Sequence, residues 1–322
     1  VAVNYDHAND VISVSDSSSG DDLTIASNFG FKNRLINGTF LISQRGNAAQ
    51  TVTASNAVPT ALTGYYLDRW FTYCLGADVT IQGTLISSSF YSAYITGAAS
   101  VTEVGIGQRI ESFNCRDLAG QTVTLSFIVA NTLLTTAEVS IWHANTQDTF
   151  GTIATPTKTQ IISASVATSS SLTRYQTVFV APAGAANGIE VLFKVGAQTS
   201  GILAISQVQL ELGNTSTLYE TRSYNYELFL CHRYMERFSG GFYRTGFNTG
   251  AAAANNYGNI PMKVAKQITT GGWAGTFTQT NVTSVGLGFS LNNAYFGVTS
   301  TTANVVWTLV PLTVLYIYSE IL

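Results

Sequence analysis

The feature that most constrains this chain is a series of short apolar–polar alternations from Arg34 to Gly213 with no helical stretch between them. Thr122–Val129 reads T-V-T-L-S-F-I-V, which puts Val123, Leu125, Phe127 and Val129 on an inward face and Thr124 and Ser126 on the outward one. Ala137–Trp142 repeats the pattern, with Val139 and Ile141 inward and Ser140 and Trp142 sharing the opposite face. Ile161–Val166, Tyr175–Val180, Ile189–Val195 and Ile202–Leu212 follow at about 12-residue spacing. Turn clusters such as Pro182–Gly184 and Gln198–Gly201 separate them. Parallel strands would need crossover helices, and the region offers none. The pattern therefore predicts an all-β, antiparallel β-sandwich.

The flanking segments differ. Residues 1–33 hold two apolar runs, Val11–Val14 and Leu23–Ala26, around the cluster Asp16–Asp22. Such runs cannot bury a core alone, so the segment reads as an extended connector that pairs with something else. After residues 34–213 comes a linker, 214–241, in which the period changes. Tyr224, Leu228, Cys231, Met235 and Phe238 recur at steps of four and three, which predicts one α-helix over 223–238. Ser223 is its expected N-cap, and Gly240–Gly241 its end. Its apolar stripe either docks on the sandwich or meets symmetry mates in a short bundle. Residues 242–322 return to strand-like sequence at Val282–Phe289, Ala294–Val298, Val305–Leu309 and Thr313–Tyr318, and read as a small C-terminal β domain.

Composition narrows the function classes. Of 322 residues only 10% are charged, against roughly 25% in an average soluble domain. Ser, Thr, Asn, Gln and Gly stand in their place. Net charge is −3, so no global basic field draws the chain to nucleic acid. No apolar run approaches the roughly 20 residues that span a bilayer, so membrane insertion is not expected. The chain opens on Val rather than Met, as a processed chain or part of a longer polypeptide would. Cys74, Cys115 and Cys231 are too few for a disulfide framework and are expected to pack as small apolar groups.

Catalytic and metal motifs are not found in the sequence. His7, His143 and His232 fall in separate elements without ligand spacing, so no metal and no cofactor is expected. Gly105-Ile106-Gly107 precedes no helix that could hold a phosphate. Glu103 and Glu111 share a face of one strand, but at about 3.3 Å per residue they stand some 26 Å apart, too far for a glycosidase pair unless the chain bends. No catalytic residue is therefore assigned, and the chain is not read as an enzyme. Aromatic residues beside Asn, Gln and Ser offer a different chemistry, since a ring stacks on the C–H face of a sugar while amides and hydroxyls bond its hydroxyls. The candidates are Trp273 in a Gly-rich loop, Tyr257 beside Asn255–Asn256, Tyr243, and Trp142. A tryptophan such as Trp273 is more often a core or interface anchor than a stacking platform.

Several segments in order resemble a phage tail-fibre family. They are Asn33–Phe40 with Gln44-Arg45-Gly46, Tyr66–Phe71, Gly107–Glu111 with Leu118–Phe127, Gln207–Gly213, and Tyr219–Tyr234. Pro261-Met262 and the terminal Ser319–Leu322 extend the likeness, which covers residues 33–322. The resemblance implies a jelly-roll like those of carbohydrate-binding modules, a connecting helix and a C-terminal β domain. It also implies a homotrimeric receptor-binding protein of the virion, joined to tail or head proteins through the N-terminal connector and attached to a host surface glycan. Related jelly-rolls often carry an acid in the first motif and bind a structural calcium there. Here that place is Thr39, and Glu211 is the acid left nearby.

Four charges sit inside apolar strands: Asp68, Arg69, Arg109 and Glu111. Buried charge needs a partner. Arg69 or Arg109 is expected to pair with Asp68 or Glu111, the alternative being ordinary outward-facing charge. The leading expectation is thus a non-catalytic, glycan-attaching virion protein. The alternatives are a polysaccharide-degrading tailspike or glycosidase, and a free bacterial carbohydrate-binding adhesin module.

Overall fold

The computed structural model describes residues 32–239 except 47, 61–62 and 87–89, together with Lys263, Ile317 and the backbones of the strands near both ends. Near the N-terminus, β1 (Ala2–Asp6), β2 (Val11–Ser15) and β3 (Asp22–Ala26) pair with one another as an antiparallel meander. The strands of residues 1–33 thus find partners within the chain.

The sandwich is built from β4 (Gln50–Val52), β5 (Tyr65–Leu67), β6 (Trp70–Leu75), β7 (Val79–Leu85), β8 (Tyr91–Thr96), β9 (Glu103–Ile110), β10 (Thr122–Asn131), β11 (Thr136–Ala144), β12 (Lys158–Ala167), β13 (Thr173–Val180), β14 (Ile189–Val195) and β15 (Ile202–Leu212). They form two six-stranded antiparallel sheets, ordered β13-β10-β15-β8-β7-β4 and β12-β11-β14-β9-β6-β5. Strands adjacent in sequence alternate between the sheets over much of this length, and the fold is an antiparallel jelly-roll β-sandwich. A single helical turn, α1 (Ser112–Cys115), follows β9.

The inward alternation is as the sequence predicts. Val123, Leu125, Phe127 and Val129 from one sheet meet Val139, Ile141, Val191 and Phe193 from the other, all buried in one core. Phe127 and Phe193 pack edge to face across the gap, with ring centroids 4.8 Å apart. Emptying such a position costs about 3–5 kcal/mol. Thr124 and Ser126 take the outward face, as expected, but both are fully buried there. Residues 213–217 run over that face. Thr124 Oγ1 donates to Gly213 O at 2.7 Å, and Arg174 bonds both Ser126 Oγ and Thr217 O at 2.9 Å.

The predicted helix is shorter than its period. α2 spans Tyr224–His232, and the chain then enters β16 (Met235–Ser239). Ser223 holds the N-cap position without a side-chain bond, its carbonyl accepting from Glu227 N at 3.0 Å. Bonds from Arg233 N to Leu230 O and from Tyr234 N to Cys231 O tighten the last turn and end the helix. Met235 to Ser239 then pair antiparallel with the strand Val314–Tyr318, from Tyr318 to Val314 in turn. A long-range strand partner has overridden a local helical pattern. The stripe does dock on the sandwich: Leu228, Cys231 and Tyr234 pack with Ile36, Ile42, Ala144 and Phe150. Tyr224 and Phe229 are exposed.

Beyond lie β17 (Arg244–Phe247), β18 (Asn255–Pro261), β19 (Gly272–Ala274), β20 (Phe277–Thr280), β21 (Val282–Phe289), β22 (Asn293–Ser300), β23 (Val306–Pro311) and β24 (Val314–Tyr318). With β16 they make three three-stranded antiparallel sheets. Cys74, Cys115 and Cys231 are buried thiols outside any disulfide.

Candidate functional site

The outer face of the β12-β11-β14-β9-β6-β5 sheet can be built row by row from its register. One row runs Ser165, Glu138, Lys194, Gly105, Tyr73, each opposite the next on neighbouring strands. The row beside it runs Ser163, Ser140, Leu192, Gly107, Phe71. A third holds Gln160, Trp142, Glu190 and Arg109.

The two glycines shape this face. A Cβ on Gly105 would lie 2.1 Å from a Tyr73 ring carbon, and one on Gly107 2.6 Å from Phe71 Cζ. Both rings therefore lie flat across β9, which only glycine permits at these positions. The flattened Tyr73 brings its hydroxyl to Glu103 Oε1 at 2.7 Å. Burial and that carboxylate push the Tyr73 phenol well above its usual range, so it stays a protonated donor.

Glu103 Oε2 in turn lies 4.0 Å from Lys194 Nζ, and Glu138 Oε2 lies 3.2 Å from the same ammonium. Ser163 Oγ donates to Glu138 Oε1 at 3.0 Å. These groups, with Ser165 and Thr136, line an open cleft of about 430 Å³, within the range of small-ligand sites. Its carboxylates are each about a third exposed, so they face solvent while held in place.

Trp142 stands two rows along β11 from Glu138, about 13 Å at 3.3 Å per residue. As its alternation predicts, it shares a face with Ser140, and its Nε1 donates to Ser140 Oγ at 2.9 Å. The Lys158 ammonium lies 4.9 Å from its ring centroid and pairs with the buried Glu190. The indole is thus fixed in orientation and partly exposed.

The other expected glycan contacts fall elsewhere. Tyr257 lies in β18 and Trp273 in β19, so Trp273 belongs to a strand, paired with Ile317, and not to a loop; their side chains, and all of Tyr243, lie outside the described residues. Sequence reasoning missed Tyr73, Glu138 and Lys194. The available signal was G-x-G on one strand and F-x-Y on another, and their pairing is a tertiary fact.

Asp68, Arg69, Arg109 and Glu111 are all buried, as expected of charges needing partners. Arg109 and Glu111 each pair with a residue outside this set. Arg109 Nε pairs at 2.8 Å with Glu190, its opposite residue on β14, because a cross-strand neighbour faces it directly. Glu111, past the end of β9, meets Arg233 at the end of α2 at 3.1 Å. Asp68 accepts from Gln44 N and Nε2 at 2.6 and 2.7 Å. The Arg69 guanidinium lies 3.4 Å from the Tyr234 ring centroid and donates to Arg109 O at 2.5 Å. Asn37 and Arg222 meet Glu227 of α2. The charged motif residues therefore converge where α2 docks on the sandwich.

Glu211, the acid left for a calcium, is engaged by protein groups. Glu211 accepts from Gln209 Nε2, Thr217 N and Thr217 Oγ1 at 2.8, 2.9 and 2.7 Å. The Lys32 ammonium bonds Thr217 Oγ1 and Leu218 O, so positive charge already stands there and the residues do not fit a cation. Among the described residues no three His, Cys, Asp or Glu side chains converge.

No family model matches this chain, and no curated protein matches it. Among solved structures, a CBM4 structure is similar at 17% identity over 55% of this chain and 98% of the other, with a TM-score of 0.36. The enzymatically active domain of tailspike protein 4 from bacteriophage CBA120 is similar at 21% identity over 56% of this chain and 21% of the other, with a TM-score of 0.35. The CBM22-1–GH10 modules of Clostridium thermocellum xylanase 10B, complexed with xylohexaose, are similar at 13% identity over 57% of this chain and 29% of theirs, with a TM-score of 0.35.

Proposed function

We propose that this chain is a structural protein of a virion, a tail fibre or receptor-binding protein that attaches to a host surface glycan without catalysis. The observation that carries the glycan reading is the outer sheet face, where a fixed, partly exposed Trp142 and the hydroxyl-lined cleft lie along one strand. An indole offers a stacking surface, and the serines and carboxylates offer hydrogen bonds to hydroxyls. The virion reading is supported by the order of the motifs from Asn33 to Tyr234. In this reading the protein is a homotrimer joined to tail or head proteins through residues 1–33. Several weak sites then act together, since multivalency raises avidity without new contacts.

The test is a glycan array read beside the mass in solution. Trp142→Ala is expected to abolish glycan binding while melting unchanged. If Trp142→Ala binds fully and Trp273→Ala or Tyr257→Ala does not, the site moves to the C-terminal strands. A species of 34.4 kDa at micromolar concentration would remove the trimer.

One observation favours a second reading, a polysaccharide-degrading enzyme. The contacts of Glu103 and Glu138 to one ammonium keep those oxygens no more than about 7 Å apart, which permits glycosidase geometry. Against it, the Lys194 ammonium stands where a water or glycosidic oxygen would have to sit. Reducing-sugar release from host polysaccharide, lost in Glu103→Gln, would establish the enzyme.

A further inference from the structure

We infer that the Glu103–Lys194–Glu138 cleft selects sugars that present hydroxyl or ammonium groups and rejects sugars that carry a carboxylate. The inference rests on the glycan reading above and assigns the chemistry of its ligand.

The bookkeeping of donors and acceptors leads there. Two carboxylates line the cleft against one ammonium, so its local charge is −1 in a chain that is otherwise charge-poor. Each carboxylate oxygen has two lone pairs. On Glu103 one oxygen takes the Tyr73 hydroxyl and the other faces Lys194; on Glu138 one takes Ser163 and the other faces Lys194. Each oxygen so engaged keeps capacity to accept. Lys194 has three donors, and its ammonium stands between the two carboxylates, 3.2 Å from Glu138 and 4.0 Å from Glu103. The cleft therefore holds more free acceptors than free donors. A sugar hydroxyl or ammonium satisfies them, and hydrogen bonds to a fixed carboxylate are the strong kind. The carboxylate of a uronate or sialate offers only acceptors and a charge of the same sign as the cleft, and like charges set together oppose binding.

The geometry keeps this preference in place. Tyr73 is seated by Gly105 and donates to Glu103, and Ser163 holds Glu138, so neither carboxylate has to be ordered by the ligand. Pre-ordering of this kind removes part of the cost of binding. Trp142 supplies the apolar contact farther along the strand and does not distinguish charge.

The experiment is an array printed in matched pairs, each neutral or amino glycan beside its carboxylate-bearing counterpart, probed with the full chain. The unaltered protein is expected to bind a neutral or amino member at least about tenfold more tightly than its acidic partner, a difference of 1.4 kcal/mol. The double variant Glu103→Gln/Glu138→Gln is expected to weaken neutral binding about tenfold and to close the gap between the pair. Lys194→Met is expected to widen it. Both act on partly exposed side chains, and unchanged melting confirms the fold.

Equal binding of the acidic and neutral members would overturn the inference. So would a double variant that keeps both affinity and selectivity while Trp142→Ala or Trp273→Ala abolishes binding, and that result leaves the glycan reading standing. Binding to no glycan at all would remove both.

Discussion

The buried charge cluster of Arg109, Glu190 and Lys158 permits a prediction of rank as well as size. One carboxylate serves two cations: Arg109 Nε at 2.8 Å and the Lys158 ammonium, with Arg109 and Glu190 fully buried and Lys158 nearly so. Arg109 also donates to Gly151 O at 2.5 Å, which ties down the loop after β11. Removing one partner of a buried pair costs about 3–5 kcal/mol, mostly because the survivor is left uncompensated. Arg109→Met leaves Glu190 with Lys158, so its cost belongs at the lower end, about 3 kcal/mol. Glu190→Gln leaves two buried cations without their carboxylate and belongs at or above the upper end, about 5 kcal/mol. At roughly 2–4 °C per kcal/mol for a domain of this size, Arg109→Met lowers the melting temperature by about 6–12 °C. Glu190→Gln lowers it further. The assay is thermal and urea unfolding of both singles and the double, closed as a mutant cycle. Losses under about 1 kcal/mol, or Arg109→Met costing more than Glu190→Gln, would refute the shared-carboxylate account.

Three further outcomes are expected. Glu227 is buried where α2 docks, and that burial raises its pKa although Arg222 opposes the shift. The folded state then binds its proton more tightly than the unfolded one, so the contribution of Glu227 to stability grows as pH falls from neutral toward the ordinary glutamate range. Glu227→Gln should flatten that part of the stability–pH curve, and an unchanged slope would deny Glu227 the role. Gly105→Ala must displace the Tyr73 ring, and should cost about 1–3 kcal/mol while weakening glycan binding through the loss of the Tyr73–Glu103 bond. The buried thiols, with Cys115 pushed up to about 12 by burial, should resist a thiol reagent in the native protein and react once unfolded.

The likeness of motif order to tail fibres and the convergence of those motifs at one buried junction bear on each other. Charges such as Arg69, Glu111 and Arg233 stand out within the motifs when seen one at a time in sequence. Their contacts instead join the sandwich to the helix that leaves it. The cleft is lined by less conspicuous residues, two glutamates and a lysine on three different strands, with Tyr73 on a fourth holding Glu103.

What the sequence determined by itself was whatever depends on a residue and its near neighbours. The period of two placed Ile189–Val195, Ile202–Leu212 and Val282–Phe289 as strands with their observed ends, and turned Phe127 and Ile141 to the core. It also put Trp142 and Ser140 on one face. Tertiary structure decided what depends on residues far apart in the chain. The helix stops at His232 because Met235–Ser239 find a strand some 80 positions later, at Val314–Tyr318. Thr124 and Ser126 are buried because residues 213–217 fold over them. Arg109 pairs with Glu190, and Glu103 meets Glu138 around Lys194, because register sets strands side by side. Alternation fixes which face a side chain takes, but only the pairing of strands decides what it meets there.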